Sequence, residues 1–149
     1  MKVKRLKRCD NSEKKRVELH LHTNLSEQDG VSSPKSLIKQ AYEWGHKAIA
    51  ITDHGVMYGA IDFYKACKKE GIKPIIGCEV YVAPRGRFRK ETREDMSPYH
   101  LLLLCKDNDG YKNLVKIVSA AHTEGFYNRP RCDIELLKKS NKVIYFFIR

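Results

Sequence analysis

Two histidines, His20 and His22, stand one residue apart in the run Val-Glu-Leu-His-Leu-His-Thr (Val17–Thr23). Side chains alternate along an extended chain, so residues two apart share a face, roughly 6.6 Å apart along it. Two imidazoles so placed can converge on one ion or on adjacent ions, and the neutral imidazole that predominates at pH 7 is the ligand form. A lone His-x-His pattern equally describes two surface histidines on a strand. The pattern sharpens with Thr52-Asp53-His54 and with Glu79, which stand at or near the ends of later apolar runs. Glu79 lies within Ile75-Ile76-Gly77-Cys78-Glu79-Val80, where a carboxylate is costly unless it is paired or metal-bound. Asp29 can fold back to the same place, although Asp29-Gly30 is also a common turn dipeptide. Asp53 reads as a group that orients a neighbouring histidine rather than one that touches the ion. His100 opens its apolar run instead of closing it, so spacing leaves it undecided. His46 and His122 read as structural or solvent-facing, and Cys132, beside Arg131 and Asp133, as a packing residue.

A set of His, Asp and Glu without a ligating Cys fits Zn, Mn or Fe better than structural zinc. Two or more such ions about 3.5–4 Å apart clamp a phosphoryl group and activate water. Phosphoester hydrolysis is the chemistry that follows. No Gly-rich phosphate loop or Ser-His-Asp arrangement competes with it.

Those residues need elements to carry them. Val17–Thr23 alternates like a strand and is followed by a polar loop through Ser33. Ser33-Pro34 is a helix start, with Ser as N-cap and Pro at the first helical position, and Gly45 is a stop. Ala48–Thr52 reads as a strand covered on both faces. A second helix is expected over about Gly59–Glu70, ending at Gly71, and a third strand over Pro74–Val82. Strands and helices thus alternate with a repeat of roughly 25–30 residues, as parallel strands with crossover helices do. The candidates are an α/β barrel or an open α/β sheet, and in both the carboxyl ends of parallel strands form one rim. Beyond a polar excursion from Ala83 to Pro98, a strand is expected at Tyr99–Cys105. A helix at Asp109–Ala121, an aromatic loop at Gly125–Arg131, a short helix near Asp133–Lys139 and a terminal run Val143–Ile148 complete the reading.

The chain has 149 residues, a size that suits one domain. Its formal net charge is +11, from 29 Lys and Arg against 18 Asp and Glu. Residues 1–16 concentrate that charge in Lys2, Lys4, Arg5, Lys7, Arg8, Lys14, Lys15 and Arg16, opposed only by Asp10 and Glu13; this reads as a solvated basic tail ahead of a domain over 17–149. Arg85, Arg87, Arg89 and Lys90 beside Phe88 could contact DNA phosphates. Glu91, Glu94 and Asp95 dilute that patch, which favours a solvated loop. Five cysteines without CxxC spacing point to a reduced, cytoplasmic compartment. No apolar run approaches the roughly 18 residues of a membrane span, and no secretory signal is visible.

Val17–Thr23, Asp29-Gly30, Ala-Ile-Thr-Asp-His-Gly (Ala50–Gly55) and Met57-Tyr58-Gly59 resemble a PHP (polymerase and histidinol phosphatase) domain. Lys73–Arg85 narrows the likeness to the amino-terminal PHP domain of bacterial DNA polymerase III alpha subunits, of the DnaE type rather than the PolC type. Tyr99–Leu104, Gly110–Leu114 and Glu124–Tyr127 continue it, so it extends from Arg16 to about Lys139. The resemblance implies a distorted seven-stranded β/α barrel of TIM-like form, with up to three divalent metal ions at its rim. It implies His20, His22, Asp29, His54, Glu79 and His100 as metal ligands, and it alone brings His100 into the set. The activity implied is a phosphoesterase, including 3′–5′ exonuclease proofreading in some members, in which a hydroxide held on the metal attacks phosphorus. Its partners would be DNA and other replicase subunits, with no membrane.

The resemblance also predicts a further Cys and an Asp-x-His pair after Val143–Ile148, which the chain does not reach. The expectation is therefore an incomplete PHP domain without its C-terminal strands or the polymerase carboxylates, with an uncovered barrel edge through which copies could associate. Two alternatives stand beside the phosphoesterase module: a non-catalytic scaffold of the replicase, and a stand-alone small-molecule phosphatase of the same family.

Overall fold

A computed structural model describes residues 10–26, 29–140 and 144–148. The basic residues expected in the tail before Asp10, and Val143 of the terminal run, lie outside the described residues. Helix α1 (Pro34–Glu43) begins where the sequence places it: Ser33 Oγ accepts from Ser36 N at 3.2 Å, and Pro34 occupies the first turn. Strand β1 (Ala48–Ile51) is buried throughout. Helix α2 (Ala60–Lys69) buries Ala60, Phe63 and Cys67, and leads into β2 (Lys73–Val82). Then follow β3 (Tyr99–Cys105), α3 (Asn108–Thr123), β4 (Arg131–Cys132), α4 (Ile134–Lys139) and β5 (Ile144–Ile148).

The described strands form one open sheet in the order β1-β2-β3-β5, with β4 also on β2. β1 runs parallel to β2, and α2 is the crossover between them. The same edge of β2 then accepts a parallel bridge between His54 and Glu79, and beyond it β4, opposite Tyr81 and Val82. On the other edge β3 is antiparallel, pairing Tyr81 with His100 and Glu79 with Leu102, and β5 is antiparallel to β3.

Alternation sorts the side chains of this sheet into two faces. One face is covered by helices: Ile38, Ala41, Ile49, Ile51, Phe63 and Cys67 pack under α1 and α2. Cys78, Val80, Val82 and Leu103 pack with Leu114, Ile117 and Ala121 of α3 and Leu137 of α4. The other face carries a smaller apolar floor of Ala50, Leu102 and Leu104, joined by Leu19 and Ile75. Glu79, Tyr81 and His100 share that face by register and stand on it toward the carboxyl end of β2.

Val17–Thr23 differs from the expected strand. It runs beside β1, with Ala50 N donating to Glu18 O at 2.8 Å and Thr52 N to Leu21 O at 2.9 Å, but only Glu18 forms a bridge. The chain bends at His20, so Leu19 joins the apolar floor whereas Leu21 packs with the helix-covered face. Strict alternation would put both leucines on one face. β4 is a two-residue strand that takes in Arg131, the last residue of the expected loop, and Cys132 just after it.

The polar excursion between β2 and β3 is tightly organised. Asp95 accepts from Arg85 Nη2 at 2.7 Å, Arg85 Nε at 3.0 Å, and the backbone of Glu91 and Thr92. Arg131, fully buried, donates to the carbonyls of Gly125, Asp95, Arg87 and Arg89, which ties the excursion to the loop before β4.

Candidate metal centre

Glu79 is 1% exposed, and its carboxylate is the hub of the cluster. Oε2 contacts His20 Nε2 closely, lies 3.2 Å from His22 Nε2 and 3.8 Å from His54 Nε2, while Oε1 lies 2.7 Å from His100 Nδ1. The Nε2 atoms of His20 and His22 are themselves 3.0 Å apart. Asp29 joins through His54, its Oδ2 lying 2.7 Å from His54 Nε2. Three overlapping triads result: His20, His22 and Glu79; His22, Asp29 and His54; His54, Glu79 and His100. All six residues singled out as ligands are thus brought together, from separate stretches of chain.

Each stretch has a local reason for its position. His20 and His22 both reach Glu79 although the chain bends at His20. Asp53 holds the next residue: its Oδ1 accepts from Thr23 N at 2.6 Å and its Oδ2 from Thr23 Oγ1 at 2.8 Å. It contacts Thr23 rather than a histidine ring, so it positions the chain just beyond His22 and not an imidazole directly. Ser26 Oγ donates to Asp29 Oδ1 and accepts from His54 N, linking the Asp29 loop to the end of β1. Gly30 lets that loop lie against Thr23, since a Cβ there would collide with the Thr23 carbonyl. His54 is followed by Gly55 at φ 62°, a left-handed turn whose N–H donates to Glu79 O at 2.9 Å. His100 starts its strand, yet it reaches the rim because β3 runs antiparallel to β2.

The electrostatics of the cluster are balanced around Glu79. Burial pushes its carboxyl up, but hydrogen bonds from His100 and His20 more than offset this and hold it below the ordinary glutamate range. Burial lowers His54, against the attraction of Glu79. The rings of His22 and His54 stack with centroids 4.4 Å apart and planes 4° from parallel. Their Nδ1 atoms are buried and have no hydrogen-bond partner. Unpaired buried nitrogens are costly unless a ligand satisfies them. The imidazole nitrogens and carboxylate oxygens that converge on Glu79, with no thiolate among them, fit a divalent cation of the Zn, Mn or Fe type.

The remaining sequence candidates lie elsewhere. Arg87 is buried, with Nη1 3.0 Å from Asp133 Oδ1 and Nε 2.6 Å from Glu124 Oε2. Arg85 is engaged by Asp95, and Arg89 lies 3.6 Å from Glu91, so of the four basic residues suggested for DNA these three are already paired with carboxylates. Lys90 is exposed. Cys132 is fully buried, and burial pushes its thiol up to about 12, as befits a packing residue. His122 Nε2 lies 2.9 Å from Gly55 O, and His46 is buried 3.4 Å from Asp10. Two residues at the site had no sequence signal strong enough to select them. Tyr81 stacks on His54 and meets His100 edge-on, and Arg129 places its guanidinium 5.6 Å from the centroid of the Tyr81 ring.

Comparison with known proteins adds lineage to this geometry. A family profile described as the PHP domain matches residues 18–147. DNA polymerase III subunit alpha of Chlamydia muridarum is 51% identical over 127 residues, which cover 85% of this chain and 10% of that protein. The same subunit of Treponema pallidum is 51% identical over 122 residues (81% and 10%), and that of Aquifex aeolicus 47% over 129 residues (83% and 11%). The match therefore spans about a tenth of the length of these relatives. Among solved structures, a protein of Bifidobacterium adolescentis assigned as a metal-dependent phosphoesterase aligns with TM-score 0.51 and 24% identity over 70% of this chain and 32% of that one. An amidohydrolase of Chromobacterium violaceum, solved with sulfate and no metal, aligns with TM-score 0.52 at the same identity and coverage. At that identity the likeness concerns the fold.

Proposed function

This chain belongs to the PHP domain family, and from that premise we propose that it is the metal-binding phosphoesterase module of a DNA polymerase III alpha subunit, acting on phosphodiesters at DNA ends. The observation that carries the proposal is the convergence on Glu79 of imidazoles from three stretches of chain. His20, His22, Asp29, His54, Glu79 and His100 would hold the ions, Zn, Mn or Fe, up to three in number. Bound ions supply Lewis acidity toward a phosphoryl oxygen and lower the pKa of water. The protein's own part is to hold the rings in place. Glu79 fixes His20 and His100, Asp29 fixes His54, and Asp53 fixes the Thr23 backbone. The open sheet would form part of a seven-stranded barrel, residues 17–149 would act as one module in the cytoplasm, and DNA and other replicase subunits would be its partners.

The test is hydrolysis of a single-stranded DNA 3′ end and of a small phosphate ester by the purified chain with added Mn or Zn. We expect cleavage that the double change His20→Ala, His22→Ala removes together with metal binding. Absence of cleavage, with that change affecting only the melting temperature, would overturn the phosphoesterase reading in favour of a replicase scaffold. Cleavage of the small ester alone would favour the small-molecule phosphatase.

A further inference from the structure

A cleft of about 540 Å³ opens beside the cluster, lined by Asp29, His54, Tyr81, His100 and Arg129 among others. Apart from Arg129, its ionisable groups are the Asp29 carboxylate, the His54 and His100 imidazoles and the Tyr81 phenol, and Glu79 contacts both imidazoles. A phosphoryl group entering the cleft brings negative charge past Asp29, and a side-chain cation at the lip would attract it in addition to any ions the cluster holds. Arg129 is in that position. Its guanidinium lies over Tyr81, whose ring stacks on His54 at 5.6 Å and meets His100 at 5.0 Å, so the cation shares a wall with the cluster.

The chain around Arg129 is built to present it. Asn128 adopts φ 60°, a conformation uncommon outside glycine, and Tyr127 N donates to Arg129 O at 3.0 Å, closing a tight turn. Two residues later, Arg131 is anchored to four carbonyls. Asn takes this left-handed conformation more readily than other non-glycine residues, so the turn beside the Arg131 anchor is a defined one.

We propose that Arg129 is a substrate-binding residue that grips the non-bridging oxygens of the phosphoryl group through its planar fork, an inference that rests on the phosphoesterase reading. The probe is inorganic phosphate, titrated into the full chain with and without Mn or Zn. Affinity is read by calorimetry, and the Arg129 Nε–H resonance by NMR. We expect Arg129→Gln to weaken phosphate binding about tenfold or more, as befits loss of charge-assisted hydrogen bonds, with metal stoichiometry and melting temperature unchanged. Arg129→Lys should recover part of the loss, and the Nε–H signal of the unaltered chain should shift on saturation. Equal phosphate affinity in Arg129→Gln, an Nε–H signal that does not move, or no phosphate binding by the unaltered chain would overturn the inference. If Arg129→Gln fails to fold, the Nε–H shift decides alone. The two claims separate: phosphate binding lost with Arg129 but no hydrolysis under any metal upholds Arg129 as the phosphate contact and defeats the phosphoesterase reading, whereas hydrolysis with phosphate affinity unchanged in Arg129→Gln defeats the role of Arg129 alone.

Discussion

Thr23 is wholly buried, and both of its donors, the backbone N–H and the hydroxyl, are taken by Asp53. The change Asp53→Ala would leave them without a partner beside the cluster, at a cost of about 1–3 kcal/mol for each buried donor orphaned. The expected outcome is a lower midpoint in urea and metal affinity reduced about 10–100-fold, the scale seen when a ligand's supporting partner is lost. An unchanged midpoint would show that Asp53 does not hold this segment. The sequence marks Asp53 as a supporting residue because it abuts His54, but it cannot say what is supported. The partner is 30 positions away, and only the parallel course of the 18–21 segment beside β1 brings it into reach. Residue types and strand ends made His20, His22, His54 and Glu79 visible, because ionisable groups set at the ends of apolar runs are costly to bury unless they bind something. Arg129 and Tyr81 stayed hidden, since one Arg in a basic chain and one Tyr in an apolar strand are unremarkable until folding stacks the Tyr81 ring on His54 and sets the guanidinium over it.

Elements are where spacing was most and least informative. Ser33-Pro34, Gly45 and the apolar spacing between them delimit α1 closely, as local capping chemistry does. The direction of β3 has no local signal. A run of four leucines reads the same parallel or antiparallel, so the position of His100 on the rim depended on a pairing between Tyr81 and His100 that crosses the whole excursion. β4 is too short for any periodicity to register. The turn after β1 is the element most exposed to a single substitution. Gly55 has φ 62°, and a Cβ there would approach Pro130 Cγ to 2.8 Å and the Tyr81 ring to 3.2 Å. Gly55→Ala is therefore expected to destabilise the fold by about 1–2 kcal/mol for the left-handed backbone alone, and to displace Tyr81 and the loop of Arg129. Thermal unfolding checks the first effect and phosphate titration the second; a variant that matched the parent in both would refute this role for Gly55.

The molecule as a whole is held at the rim by buried or anchored charges, which makes it sensitive to acid. The Arg85 guanidinium beside Asp95 holds that carboxyl well below the usual carboxylate range. Burial works against ionisation of Asp133, but the backbone donors of Arg87 and Leu136, with the Arg87 side chain, bring it below its ordinary value as well. Between the folded and unfolded values the folded chain binds fewer protons, so this stabilisation is complete above the ordinary aspartate value of about 3.9 and declines as the pH falls from there. The melting temperature is expected to drop below about pH 4, and Asp95→Asn to be less stable at pH 7 but to lose less on acidification; parallel pH curves for the two proteins would contradict this. No helix among the described residues is long and apolar enough to cross a membrane. Because β2 ends and β3 begins at the same rim, the segment joining them leaves and returns there, and its Met96, Ser97 and Pro98 form part of the cleft wall. Substitutions at Met96, Ser97 and Pro98 would reshape the doorway while Asp95 and the carbonyls that hold Arg131 keep their places, so the last residues before β3 are where such a scaffold can change what it admits without rebuilding what it holds.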